Sequence, residues 1–213
     1  MQNCYPFAVH RRILAAALLL LPYCYAAPRT SVPVIDCFGD SITAGYGLDA
    51  ARAYPAVLQT ELDNRGYRYR VVNSGISGNT TKDGVARLRN VLALHPAIVI
   101  VEFGGNDGLR GIPISDTRRN LNTIVRTLLQ AGSKVILAGI TLPPNYGADY
   151  VQQFNETFKL VAAQNHVPVI ENIYARVYTV PGAIQEDGVH PTAKGALLLA
   201  DSFLPMLEPL LHK

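Results

Sequence analysis

The chain has 213 residues, with 19 lysines and arginines against 16 aspartates and glutamates and a net charge of +3. A chain of this length suits one domain with a sizeable core and hardly two. No like-charge block, low-complexity tract or solenoid-period repeat is present, which argues against a disordered tail or a repeat array.

Residues 1–26 have the layout of a signal peptide. His10, Arg11 and Arg12 precede the apolar run Ile13 to Leu21, which is too short to span a bilayer, and Ala26 and Ala27 follow. Cleavage after Ala26 is expected, leaving 27–213 as the mature domain; Arg11-Arg12 also fits twin-arginine export. The leader removes two arginines and no acidic residue, so the mature net charge is about +1. That balance is too small to suggest a nucleic-acid surface or a basic membrane patch. Cys4 and Cys24 also leave with the leader, so Cys37 alone remains and no intramolecular disulfide can form. Its place in an apolar run reads as a buried strand thiol.

In chain order, β-rich runs at Val32 to Phe38, Tyr69 to Asn73, Ile98 to Phe103, Lys134 to Ile140 and Val167 to Ile170 alternate with helical patterns. This alternation predicts a parallel sheet of about five strands covered on both faces. Leu121, Ile124, Val125, Leu128 and Leu129 recur at helical spacing before the fourth strand, and Phe154, Phe158 and Val161 do so before the fifth. A last helix is expected over roughly Thr192 to Leu211, kinked or ended early by Pro205 and Pro209.

Three segments between these elements carry chemistry. Gly39-Asp40-Ser41 follows the first strand, placing the Ser41 hydroxyl at a strand-to-helix junction on the sheet edge. No Gly-x-Ser-x-Gly elbow occurs in the chain, which disfavours a lipase-like α/β-hydrolase. Of the mature histidines, His95, His166 and His212 have bland positions, at a helix end, before a strand and beside the terminus. His190 differs, because Asp187 lies three residues earlier in a Gly-containing loop where its carboxylate can fold back onto the imidazole. Such a pair fixes the tautomer and stabilises the imidazolium formed when a serine gives up its proton. A tetrahedral intermediate also needs donors where negative charge develops. Asn106, behind Gly104 and Gly105, can present its side-chain amide, Gly78 can present an unobstructed backbone N–H, and Ser41 N–H would be the third donor.

Gly39-Asp40-Ser41, the Gly78 loop, Gly105-Asn106-Asp107 and Asp187-x-x-His190 stand in the order of the family blocks, and together they resemble an SGNH hydrolase of the GDSL esterase/lipase superfamily. Gly104-Gly105-Asn106-Asp107-Gly108-Leu109-Arg110-Gly111 and Leu142-Pro143-Pro144-Asn145-Tyr146-Gly147 are similar to the exported bacterial thioesterase/lysophospholipase/arylesterase group. Thr43 departs from it, standing where that group often has serine. The resemblance implies a flavodoxin-like three-layer α/β/α sandwich over 27–213. It implies Ser41 as nucleophile, His190 as base, Asp187 as its orienter, and Ser41, Gly78 and Asn106 as oxyanion donors.

Acyl esters and thioesters, small or lipid, would be the substrates, with no cofactor or metal and no nucleic-acid partner. A monomer without a stable membrane span after cleavage is expected, in the periplasm or secreted. Acyl-binding surface is expected from Leu109, Ile112, Pro113, Ile114, Leu142, Pro143 and Tyr146, in the loops after Asn106 and after the fourth strand. A carbohydrate O-acetyl esterase would use the same blocks. A flavin-binding module is a reading from another class, since Ser77-Gly78-Asn79-Thr80-Thr81 resembles a phosphate-cradling loop. That loop follows the second strand and not the first, no tryptophan is available to stack on the ring, and Asp187 and His190 would have no task.

Overall fold

The structure, a computed structural model, describes residues 1–2 and 32–213. The leader expected over 1–26 therefore lies, beyond its first two residues, outside the described residues. The strands are β1 (Val34–Gly39), β2 (Arg70–Asn73), β3 (Ile98–Glu102), β4 (Lys134–Ala138) and β5 (Val169–Ile170). Between and after them come α1 (Ser41–Ala44), α2 (Tyr54–Asn64), α3 (Thr81–Ala86), α4 (Leu88–Leu92), α5 (Gly105–Leu109), α6 (Ile114–Gln130), α7 (Ala148–Asn165) and α8 (Ala193–Leu207).

All strand pairings are parallel, in the order β2-β1-β3-β4-β5. This is the doubly wound order of flavodoxin-like sheets, in which ligands bind beyond the strand carboxyl ends where the winding reverses, here between β1 and β3. Every residue of β1 and β3 is buried, whereas the edge strands β2 and β5 are partly exposed. Central parallel strands bury both faces and so read as continuous apolar runs. Three buried carboxyls interrupt these runs or end them: Asp36, Asp40 and Glu102.

Two groups of helices flank the sheet, α2 packed with α8, and α6 packed with both α3 and α7. The expected stripe on α6 is inside at Leu121, Ile124, Val125 and Leu128, with Leu129 half-buried. Phe154, Phe158 and Val161 are buried on α7. Thr192 caps α8 by accepting from Gly195 N–H at 3.3 Å. That helix carries Pro205 in its last turn and stops at Leu207, followed by a 3-10 turn over Glu208–Leu210. Cys37 is fully buried, as expected for a strand thiol. Among the described residues, no helix is long and apolar enough to cross a membrane.

Candidate active site

β1 ends at Gly39, and Asp40 caps the short helix α1 through a 3.1 Å bond from Ile42 N–H to its Oδ1. Ser41 is the first residue of that helix, at the carboxyl end of a central strand. Its Oγ lies 2.9 Å from His190 Nε2, across 149 residues of sequence. His190 Nδ1 lies 2.6 Å from Asp187 Oδ2. Asp187 Oδ1 accepts from the backbone N–H groups of Val189 and His190, both at 2.9 Å, while Gly188 at φ +73° makes the turn between them. Partial burial raises the Asp187 pKa, but the backbone and ring donors of His190 and the Val189 N–H outweigh it and hold the carboxyl at about 2. An ionised Asp187 can only accept, so the proton sits on Nδ1 and Nε2 is left to accept from the Ser41 hydroxyl.

The loop holding His190 is tied down on several sides. Gln185 N–H donates to His190 O, and Gln185 Nε2 donates to both Tyr46 O and Pro191 O, each at 2.8 Å. Tyr174 Oη donates to Val189 O at 2.8 Å, and the Tyr46 ring packs on the imidazole with centroids 4.5 Å apart.

Opposite His190, Asn106 occupies the first turn of α5. Its Nδ2 donates to Asp40 Oδ2 at 3.1 Å and to Asn79 O at 3.0 Å. Gly78 has φ +81°, a conformation that favours glycine, and Arg110 Nη2 donates to its carbonyl at 2.9 Å. The Thr80–Asp83 capping box anchors this loop to α3. Beneath lies a buried acid pair. Burial pushes Asp40 up to about 6 against the donors Ile42 N–H and Asn106. Glu102 is raised well above the ordinary range by burial and by Asp40. Thr43 Oγ1 donates to Glu102 Oε2 at 2.8 Å and pairs with Tyr54 Oη at 3.2 Å.

A mainly apolar cavity of about 170 Å³ opens beside Ser41, Asn106 and His190. Of the expected acyl-binding residues, Leu109, Leu142 and Pro143 line it, but Ile112, Pro113, Ile114 and Tyr146 do not. Ile114 starts α6 and packs against the core, while Tyr146 donates from its hydroxyl to Leu109 O at 3.2 Å. Their places on the wall are taken by Ile140, Thr141, Tyr174, Tyr178 and Val189. The spacing of Tyr174 and Tyr178, whose rings stack at 4.9 Å, is a signal that could have suggested a shared face. Among the described residues, no group of three or more His, Cys, Asp or Glu side chains could hold a metal ion.

A doubly wound sheet with serine, glycine, asparagine and histidine gathered at its carboxyl edge defines an SGNH-type ester hydrolase. The chain belongs to the GDSL-like Lipase/Acylhydrolase family, whose sequence model matches residues 37–198. It is 42% identical over 196 residues to "Esterase TesA" of Pseudomonas aeruginosa, covering 92% of this chain and 95% of that protein. It is 36% identical over 196 residues to "Thioesterase 1/protease 1/lysophospholipase L1" of Escherichia coli, covering 92% and 91%. The solved structure "Crystal Structure of TesA" superposes with a TM-score of 0.80 at 42% identity, over 83% of this chain and 99% of that one.

Proposed function

We propose that the protein hydrolyses carboxylic esters and acyl thioesters through an acyl-enzyme on Ser41. The supporting observation is the Ser41–His190–Asp187 hydrogen-bonded chain at the mouth of an apolar cavity. In this reading His190 takes the Ser41 proton as Oγ attacks the carbonyl carbon, and then delivers it to the departing alcohol or thiol. Water activated by the same imidazole attacks the acyl-enzyme and releases the acid. Ser41 N–H, Gly78 N–H and Asn106 Nδ2 stabilise the oxyanion, Asn106 by sharing with it the N–H that it gives to Asn79 O, and the cavity takes the acyl chain.

Ser41→Ala should abolish hydrolysis while circular dichroism remains that of the wild type. A fluorophosphonate should label wild type stoichiometrically at Ser41, and labelling at another serine would overturn the assignment. Profiling aryl esters, acyl thioesters and acetylated sugars against chain length then fixes the substrate class; a preference for acetylated sugars would make the protein a carbohydrate esterase. Export with cleavage after Ala26 belongs to the same proposal. Exported protein should begin at Ala27 by mass spectrometry, and retention of Met1 would contradict it.

A further inference from the structure

Arg87 follows α3 and has no part in the acyl transfer proposed above. Its guanidinium uses all three nitrogens, two on the connection between β2 and α3 and one on the end of β1. Nε donates to Asn79 Oδ1 at 2.6 Å, Nη1 to Ser74 O at 2.8 Å and Nη2 to Gly39 O at 2.7 Å. The group lies over the Phe38 ring at 4.6 Å, with the Phe103 ring at 5.5 Å. Gly39 leads directly into Asp40 and Ser41, Ser74 is the exit of β2, and Asn79 follows Gly78. Asn79 is held from both ends, since its side chain accepts from Arg87 while its carbonyl accepts from Asn106 Nδ2 at 3.0 Å.

We propose that Arg87 is a positioning residue that sets the oxyanion hole, by fixing the Gly78–Asn79 loop and, through it, Asn106 relative to the Ser41 turn. This rests on the Ser41 reading. The three acceptors diverge around a planar fork, a geometry that guanidinium matches and that the compact ammonium of lysine does not. The flanking rings keep the plane from rotating. Ser41 N–H, Gly78 N–H and the Asn106 amide come from three separate connections, so their mutual placement depends on whatever joins those connections. Misplacement by about 1 Å can lower turnover by about 10².

Arg87→Lys should therefore lower kcat by about tenfold or more per folded molecule, with KM for a short aryl ester within about threefold of wild type. In Arg87→Ala, millimolar methylguanidinium should raise kcat several-fold where methylammonium does not, a response that a merely structural side chain would not produce. Asn79→Ala removes one acceptor without burying a new group, and it decides the matter if the Arg87 variants do not fold. It should lower kcat, and combined with Arg87→Lys the losses should be less than multiplicative. Normal kcat in folded Arg87→Lys or Asn79→Ala, a loss confined to KM, or no selective guanidinium rescue would overturn the proposal. Wild-type phosphonate labelling separates the two failures. Label away from Ser41 defeats the Ser41 reading, whereas label on Ser41 with fully active Arg87 and Asn79 variants defeats the positioning role alone.

Discussion

Asp40 accepts a 3.1 Å hydrogen bond from the side-chain amide of Asn106 across 66 residues of sequence. Its other oxygen accepts from Ile42 N–H, so one carboxylate joins the helix bearing Ser41 to the first turn of α5, which bears Asn106. Asp40→Asn can still cap Ile42, but it turns an NH2 group against the Asn106 amide so that two donors face each other. Turnover should fall by about tenfold, equivalent to about 1.4 kcal/mol of barrier, with little change in KM. Steady-state kinetics on a short aryl ester would reveal it, and unchanged kcat would show that Asn106 needs no orienting partner.

Asn106→Ala should lower kcat by about 10² to 10³, the usual effect of removing one oxyanion donor, or about 2.7 to 4 kcal/mol. If Asn106 served only its turn, the variant would lose thermal stability and keep its turnover. Single-turnover acylation normalised to folded protein distinguishes these outcomes.

Glu102 gives a pH signature. Burial and Asp40 raise its pKa well above the ordinary 4.5, so the folded protein retains a proton that the unfolded chain releases. With more protons bound in the native state, stability falls as pH rises above about 4.5, until Glu102 itself ionises. Glu102→Gln removes that titration. From about pH 5 up to the pH at which Glu102 ionises in the folded protein, the wild type should lose stability more steeply than the variant, by up to about one proton or 1.4 kcal/mol per pH unit. Urea denaturation across this range is the check, and parallel slopes would mean that Glu102 gains no proton on folding.

Tyr178 is 51% exposed, yet it lines the cavity. Tyr178→Ala should leave the fold intact while removing apolar wall from an acyl chain. Loss of about 40 Å² of contact at about 25 cal/mol per Å² is about 1 kcal/mol, or roughly fivefold. Accordingly kcat/KM for octanoyl esters should drop by about that factor while acetyl esters change little. An equal effect on both chain lengths would place Tyr178 outside the acyl path.

Much of this molecule is legible along the chain because its informative features are local. Asp187 and His190 are three residues apart, so one Gly-containing turn joins them, and the helical stripe of α6 and the apolar runs of β1 and β3 declare themselves within a single element. Alternation of strands and helices selects a parallel sheet, since parallel neighbours require a crossover. The cavity wall was less legible. Ile112 and Tyr146 sit in the right loops, but those loops are traversed in a way that turns Leu109 and Leu142 toward Ser41 instead, while Tyr178 arrives from a segment with no motif.

Residue spacing by itself marked out the five strands, the Gly39-Asp40-Ser41 turn and the closeness of Asp187 to His190, because backbone propensity, capping and short-range hydrogen bonding act over a few residues. Tertiary structure alone decided that Arg87 grips Gly39, Ser74 and Asn79, and that Glu102 lies beneath Asp40. Those contacts join segments separated by 48, 13, 8 and 62 residues, and three of the four accept on a carbonyl or from a backbone amide. Backbone groups are the same at every position, so no residue pattern marks which of them a distant side chain will reach. The sheet order brings them together, and burial then makes each unpaired polar group costly enough to require a partner.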